Sequence, residues 1–454
     1  MKVLLVSANS LPASPIGPAY IAGAALRAGH TVETFECLFA QDLPLELRAH
    51  IQWFRPDVIG VSIRLVHGYV IDETSPYNTR RLDLRTHVRQ VVDVIRQATS
   101  VPIILGGPGF NYFARDWLEY LDLDYGIRGE ADISFPLYLD RLERDGDLTT
   151  VPGCVFSQGE QILKSPRHRV ENLDETAFPA YELFDLERYQ QHGISPGILT
   201  KRGCAFHCTY CPYRSLEGPR YRLKSPGRVV DEIELIRRIF PPRMIMFCEN
   251  NFNVPRRHAA AICQEIISRK LNVQWGTGDL RPMGITEDFC RLMQNSGCVY
   301  LNLSVESGSD AMLTSMRRGY TAADVRQSLQ CLEKSGIPFG VSLMLGAPGE
   351  TPDTVKETLA LIDQYAIPLG TWVTAGLCLW TPRQEIVAGI LAANLTGGQP
   401  AGQLLEERML FEGATYLSPQ LPESFMLELI GALRSKKGYT LQVNQPYPGY
   451  RWAN

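Results

Sequence analysis

The run Lys201-Arg202-Gly203-Cys204-Ala205-Phe206-His207-Cys208-Thr209-Tyr210-Cys211-Pro212 decides how the rest of the chain is read. Its thiols follow the spacing C-x3-C-x2-C. Thiolates are the protein ligands of iron–sulfur clusters, and gaps of two to four residues let one loop reach several irons. A four-iron cubane held by three cysteines keeps one iron open to another molecule. A structural zinc ion would want four ligands in paired spacings. No second C-x2-C or H-x3-H pair accompanies this loop, and His207, directly beside Cys208, is poorly placed as a fourth ligand. Cys204, Cys208 and Cys211 are therefore the candidate metal ligands. Tyr210 fits as an aromatic packed beside the metal group; an ordinary loop aromatic is the alternative.

Upstream, Ile194 to Thr200 reads as a short strand and Gly203 as the turn that opens the loop, so the thiols follow a strand end, where α/β folds place their sites. Downstream, strand-like and helix-like runs alternate, the mark of parallel βα units. Met244–Cys248, Leu271 to about Arg281, Val299–Glu306, Phe339–Leu345 and Trp372–Leu379 are the strands. Helical stretches include Pro226–Ile236, Ala322–Ser335 and Pro352–Gln364. Counting the strand before the thiols, six strands fit a partial (β/α)6 barrel over residues 191–383. A complete eight-unit barrel takes about 250 residues.

The loop, with its aromatic before the last cysteine, resembles the cluster-binding loop of radical S-adenosylmethionine (SAM) enzymes. That resemblance implies a 4Fe–4S cluster whose open iron chelates the amino and carboxylate groups of SAM, and reductive cleavage to a 5′-deoxyadenosyl radical. It also implies an external electron donor of the flavodoxin or ferredoxin kind. Glu306-Ser307-Gly308 is similar to the family's E-S-G turn, whose carboxylate and hydroxyl contact SAM; a helix cap is the alternative for Ser307. Gly346-Ala347-Pro348-Gly349-Glu350-Thr351 resembles the G-x-P-G-E-T turn, which makes Gly346, Pro348 and Gly349 cofactor-binding candidates behind a mainly structural turn. Glu249 stands where relatives carry an acid in a [D/E]-x-x-F turn, a catalytic or cluster-facing position; a solvated carboxylate or cap is the alternative. Arg281 resembles an arginine at the third strand end that would contact a carboxylate, against an ordinary ion pair.

The N-terminal third reads as a doubly wound α/β (Rossmann-like) domain, residues 1–145. Lys2–Val6, Thr31–Phe35, Val58–Ile63, Val101–Leu105 and Tyr125–Asp132 are its strands, and Arg85–Thr99 is an amphipathic helix. Gly106-Gly107-Pro108-Gly109 lacks the G-x-G-x-x-G spacing of a dinucleotide fingerprint. The domain instead resembles the B12-binding domain that precedes the barrel in one large class of radical SAM enzymes. The resemblance rests on Pro18-Ala19-Tyr20-Ile21-Ala22, Pro56-Asp57-Val58-Ile59-Gly60-Val61-Ser62, Gly106-Gly107-Pro108 and Gly129-Glu130. It implies bound cobalamin, with Gly106 and Gly107 as contacts, or a relic domain that no longer holds it. The D-x-H-x-x-G motif that ligates cobalt is absent. Arg64, in Val61-Ser62-Ile63-Arg64, has the context of an arginine that faces cobalt in some relatives, a catalytic candidate; a surface arginine is the alternative. Residues 146–190 read as a linker, with Asn172-Leu173-Asp174-Glu175 similar to that class's linker. Residues 384–454 read as a capping tail with a helix-like run from Pro419 to Leu433.

Composition narrows the classes further. Among 454 residues, 45 % apolar content rules against disorder, and 45 Lys+Arg against 49 Asp+Glu, a net charge of −4, against bulk nucleic-acid binding. No run of about 18 apolar residues offers a membrane span. Eleven cysteines in so long a chain are too sparse for a disulfide scaffold. After Met1-Lys2 only four apolar residues precede Ser7, too few for a signal segment, which gives the expectation of a reducing cytoplasm. The eight cysteines outside the loop read as small buried hydrophobes. The reading implied is a cobalamin-dependent radical SAM enzyme that methylates an unactivated carbon of a small-molecule substrate, with no nucleic-acid or membrane partner. The alternatives are a non-methylating radical enzyme of the same architecture (diol dehydration, ring contraction or cyclisation) and a non-catalytic cobalamin or metal sensor.

Overall fold

The computed structural model describes residues 1–71, 79–159, 161–379, 411 and 414–443. Residues 384–410, the Pro446–Trp452 run and the side chain of Cys378 lie outside the described part. Two compact units make up the chain.

The first unit comprises residues 1–68, 83–198 and 222–243. Lys2–Ser7, Val58–Ser62 and Ile103–Gly106 are nearly continuous apolar runs, as strands covered on both faces must be. Spatially the sheet runs Thr31–Glu36, Lys2–Ser7, Val58–Ser62, Ile103–Gly106, Tyr125–Ile127, Cys154–Gln158, Gln161–Lys164. The first five are parallel and the last two antiparallel. The helix Leu84–Ala98 buries Val88, Val91, Val92 and Ile95, one stripe at helical spacing. Asp83 caps it by accepting from the Arg85 N–H at 3.0 Å.

Two departures from the sequence reading appear here. The expected strand Tyr125–Asp132 stops at Ile127, and a helix begins at Ala131. The segment read as a linker carries a hairpin, Cys154–Gln158 with Gln161–Lys164, that extends the sheet. Its outer strand is nearly all solvent-facing, so the apolar alternation that marks a strand is weak there. Residues 222–243 add a buried polar knot: Lys224 Nζ donates to both Glu232 oxygens, at 2.6 and 2.7 Å, and to the Tyr20 hydroxyl at 2.6 Å. That knot gives Tyr20 of the Pro18-Ala19-Tyr20 segment a packing role.

The strand order places the topological switch between Lys2–Ser7 and Val58–Ser62. Ligands of open α/β sheets bind in the crevice outside the carboxyl ends at such a point. Ser7, Ser62 and Gly106 lie in register at those ends. Gly107 is required there by geometry: its φ is +93°, and a Cβ would fall 2.5 Å from the Ile63 carbonyl oxygen. Gly107→Ala is expected to lower the urea midpoint of the chain, with a backbone cost of about 1–3 kcal/mol. An unchanged midpoint would show that the turn yields freely.

The second unit holds the parallel strands Ile245–Phe247, Trp275–Leu280, Cys298–Glu306, Phe339–Leu345, Thr371–Ala375 and Tyr439–Val443, side by side in that order. Helices Arg256–Ser268, Glu287–Asn295, Ala322–Ser335, Pro352–Ile362 and Glu423–Ser435 connect them. Thr321 and Asp324 form a capping box at the start of the third. Phe247, at the end of its strand, Phe252 and Trp275 meet with ring centroids 5.1 Å apart. The last expected strand breaks at Gly376 (φ +85°) into Thr371–Ala375 and Leu377–Leu379. The tail is more than a cap: Tyr439–Val443 pairs residue for residue with Thr371–Ala375 as a further barrel strand. Only five residues long, it stands beside a Gly-containing turn in a segment otherwise read as irregular. Among the described residues no helix is long and apolar enough to cross a membrane.

Candidate functional site

The thiol loop lies in the second unit. Gly203 has φ +89°, and a Cβ there would sit 2.0 Å from the Arg220 carbonyl oxygen, so only glycine lets the chain turn into Cys204. The loop is pinned by Cys204 N–H to Gly218 O at 3.0 Å, Cys211 N–H to Cys208 O at 3.2 Å, and Thr209 N–H to Met316 O at 3.2 Å. Cys204 is buried, and Cys208 and Cys211 are half-buried. Burial pushes the Cys204 thiol up and the Cys211 thiol up to about 12. Such thiols ionise when a metal takes the proton's place. Donors are already aimed at them: Arg318 Nη1 lies 3.3 Å from Cys208 Sγ, and Asn251 Nδ2 3.9 Å from Cys204 Sγ.

Among the described residues, no three His, Cys, Asp or Glu side chains converge closely enough to share one metal ion. One zinc ion with its ligands at about 2.0–2.3 Å needs that convergence. A cluster takes one thiolate per iron, and the three thiols lie on one loop at the C-x3-C-x2-C spacing. Cys154, Cys263, Cys290 and Cys298 are buried, as expected of packing cysteines, whereas Cys248 is exposed at a strand end and departs from that expectation.

Arg318 joins the loop to the strand ends. Its Nη1 also donates to the Tyr210 hydroxyl at 2.7 Å, its Nη2 to Ser304 O at 3.1 Å, and its Nε to the Tyr320 hydroxyl at 2.8 Å. Nη2 lies 3.6 Å from Glu306 Oε1. Glu306 is a buried non-glycine residue at φ +64°, a conformation that over-determined surroundings must hold. Burial raises its carboxyl above the usual range, and the Arg318 charge opposes that rise. Asp279 is likewise raised by burial, against the Ser304 hydroxyl that donates to it at 2.8 Å. Two acids and a phenol thus gather around the guanidinium that reaches Cys208. Arg318, Asp279 and Tyr320 were not singled out from the sequence. In Met316-Arg317-Arg318-Gly319-Tyr320 the adjacent arginines read as a basic helix end, and nothing in the spacing says which one turns inward.

The other candidates fall in different places. Glu249 is buried and turned onto the residues before the loop: Thr200 Oγ1 donates to its Oε1 at 2.7 Å, and Lys201 Nζ lies 3.8 Å away. Ser307 is fully buried, with Oγ 2.9 Å from Thr358 Oγ1, and accepts the Ser309 N–H at 3.1 Å. Gly346 (φ +97°) and Gly349 (φ +87°) shape their turn, and Ser315 Oγ donates to Pro348 O at 2.9 Å. Glu350 closes that turn by accepting the Gly346 N–H at 2.9 Å. In the first unit, Gly106 and Gly107 end the strand beside Val58–Ser62, next to the switch point; Gly106 O accepts the Ile63 N–H at 2.9 Å, and Arg64, the residue after Ile63, is exposed to solvent.

Burial pushes Glu350 up to about 7, against the backbone N–H bonds from Gly346 and Ala347. A carboxyl raised on folding contributes stability that is complete below its unfolded value, near 4.5, and lost as pH rises through about 7. The span amounts to about 3 kcal/mol. Glu350→Gln is therefore expected to flatten the pH dependence of the metal-free chain's urea midpoint between pH 5 and 8. A wild-type slope retained in the variant would assign that slope to other groups.

A doubly wound sheet with a switch-point crevice, and a parallel barrel sheet with three loop thiols beside an Arg–Glu–Asp–Tyr cluster, define a cofactor-dependent α/β enzyme. Residues 2–139 match the B12 binding domain, and residues 198–362 match the radical SAM superfamily. The chain belongs to the radical SAM enzymes that carry a B12-binding domain. An uncharacterized methyltransferase of Pyrococcus horikoshii is 25 % identical over 81 % of this chain and 77 % of its own length. Tryptophan 2-C-methyltransferase of Streptomyces laurentii is 22 % identical over 93 % of this chain and 84 % of its own. Among solved structures, the radical SAM methyltransferase TsrM from Kitasatospora setae, with cobalamin and a 4Fe–4S cluster bound, superposes with a TM-score of 0.78 at 22 % identity, covering 93 % of this chain and 85 % of that one. That likeness establishes the shared fold.

Proposed function

We propose that this radical SAM enzyme transfers a methyl group from cobalamin to a carbon of a small-molecule substrate. The observation that carries the reading is the meeting of the thiol loop with the Arg318–Glu306–Asp279–Tyr210 cluster at the barrel strand ends. The methyltransferase names of the two relatives support the outcome. Cys204, Cys208 and Cys211 ligate the 4Fe–4S cluster. Glu306 and Asp279 offer carboxylates to the SAM ammonium, and Arg318 keeps them, Tyr210 and Cys208 in one arrangement. Ser307 backs that site through its hydroxyl, which meets Thr358 of the helix Pro352–Ile362, and the Gly346–Pro348–Gly349 turn is closed by Glu350, which accepts the Gly346 N–H. Glu249 positions the start of the loop through Thr200 and Lys201. In the first unit, Gly106 and Gly107 let cobalamin approach the backbone, and Arg64 supplies a cation there. Bound, these groups supply a 5′-deoxyadenosyl radical and a transferable methyl; the protein's part is to bind, orient and shield them.

The reading places the enzyme in a reducing cytoplasm, fed by a flavodoxin- or ferredoxin-like donor. It is tested by anaerobic reconstitution with iron, sulfide and cobalamin, followed by assay with SAM and reductant. Protein-dependent 5′-deoxyadenosine together with S-adenosylhomocysteine is expected. Deoxyadenosine without S-adenosylhomocysteine would move the reading to a non-methylating radical reaction. Bound cofactors without any SAM turnover would leave a sensor.

A further inference from the structure

Arg281 is among the largest fully buried side chains, 1 % exposed, at the end of the strand Trp275–Leu280. Its backbone is clamped by one side chain: Asn253 Oδ1 accepts its N–H at 2.9 Å and Asn253 Nδ2 donates to its carbonyl at 2.9 Å. The guanidinium lies over the Phe206 ring, 3.5 Å from the centroid, and Phe206 sits between Cys204 and Cys208 in the thiol loop. Its charge acts on Cys204, Asp279 and Glu306. Yet among the described residues Nε and Nη2 have no hydrogen-bond partner.

The other buried cations of this unit are provided for. Lys201 has Glu249 and the Phe252 carbonyl, and Arg318 has Glu306, Tyr210 and Ser304. Ring stacking and the nearby carboxylates offset part of the cost of burying this charge, but two idle N–H groups are desolvated without a hydrogen bond in return. What it lacks is a hydrogen-bond acceptor, next to Cys204, that the described residues do not supply. Two anions of the proposed reaction qualify, the cluster and the SAM carboxylate.

We propose that Arg281 is the counter-charge of the cluster held by Cys204, Cys208 and Cys211, donating through Nε and Nη2 to its sulfur edge and favouring its reduced state. The inference rests on the cluster reading above. The stacking on the ligand loop selects the cluster, because it fixes the guanidinium plane against the segment that carries the thiolates. Reduction adds one electron from a low-potential flavin or iron–sulfur donor and takes the cluster with its three thiolates from one net negative charge to two. No bond to carbon and no proton are involved. A fixed cation beside the cluster stabilises the more negative state, and its effect is strong because the site is buried. Arg281 is thus a positioning residue for the electron.

The test is a redox titration, followed by electron paramagnetic resonance, of reconstituted full-length protein in the absence of SAM. Arg281→Gln and Arg281→Lys are compared with the wild type. Arg281→Gln is expected to bind the same iron and to shift the reduction equilibrium at least tenfold toward the oxidised cluster, about 59 mV for one electron. Arg281→Lys keeps the charge without the planar fork and is expected to fall between. Should Arg281→Gln not load iron, the lysine variant carries the comparison. A cluster present in all three proteins with one common midpoint overturns the inference. A common midpoint combined with weakened SAM binding would assign Arg281 to the SAM carboxylate instead. A wild type that binds no cluster is a separate outcome and overturns the function proposed above.

Discussion

Cys208→Ala is expected to bring reconstituted iron from about four atoms per chain to none and to abolish 5′-deoxyadenosine formation. The loop provides three thiols and the open iron is reserved for SAM, so no spare ligand is at hand: His207 is exposed, and among the described residues no three His, Cys, Asp or Glu side chains converge on one metal ion. Two thiolates hold a cluster poorly against chelation. Loss of iron through unfolding is separable from loss of a ligand. Cys208 is half-buried, so trimming it removes little packing, whereas Cys263 and Cys290 are fully buried in helices Arg256–Ser268 and Glu287–Asn295. Cys263→Ala should therefore lower the urea midpoint, by about 1 kcal/mol as core truncations of this size do, and keep its iron. Cys208→Ala should do the reverse. Iron retained in Cys208→Ala, with the visible absorbance of the wild type, would end the assignment of the three ligands.

That contrast also shows what could be read from residues alone. The thiol loop was legible because ligand spacing is a local property, written in eight consecutive residues. Lys2–Ser7 and Phe339–Leu345 were legible because strands buried on both faces must be apolar throughout. The hairpin Cys154–Gln158 with Gln161–Lys164 was read as linker because an edge strand turns polar groups outward and loses its pattern. Tyr439–Val443 was missed because its five residues gain their stability from Thr371–Ala375, far away in the chain, rather than from local preference. Cys248 was taken for a core residue, yet it follows the last residue of its strand, where alternation ends and solvent begins. The polar centre was the least legible part. Glu306 could be found from a turn signature, but its partner Arg318 is set only by how Arg317, at φ +54°, ends the preceding turn and swings its neighbour inward.

Arg318 is accordingly the residue whose loss should be felt most widely. Arg318→Leu removes the donors to Cys208, Tyr210, Ser304 and Tyr320 in one step and leaves Glu306 as a buried carboxylate without its counter-charge. Breaking a buried pair from one side costs about 3–5 kcal/mol. Glu306 is already raised by burial, with Arg318 opposing the rise, so the variant's Glu306 should take up its proton at a higher pH than the wild type's. The sign follows: a carboxyl raised further on folding adds stability as pH falls, so the deficit of Arg318→Leu should shrink as the pH is lowered while the wild type changes less. Adding Glu306→Gln removes the uncompensated charge, and the double variant should be more stable at pH 8 than Arg318→Leu alone. In a double-mutant cycle on the metal-free chain that rescue appears as a coupling energy of about 1–3 kcal/mol. Neither variant should recover SAM cleavage, because the double variant restores the charge balance but not the carboxylate offered to the ammonium. A strictly additive cycle would instead mean that Arg318 serves the thiol loop alone and that Glu306 is held in its left-handed conformation by the backbone around it.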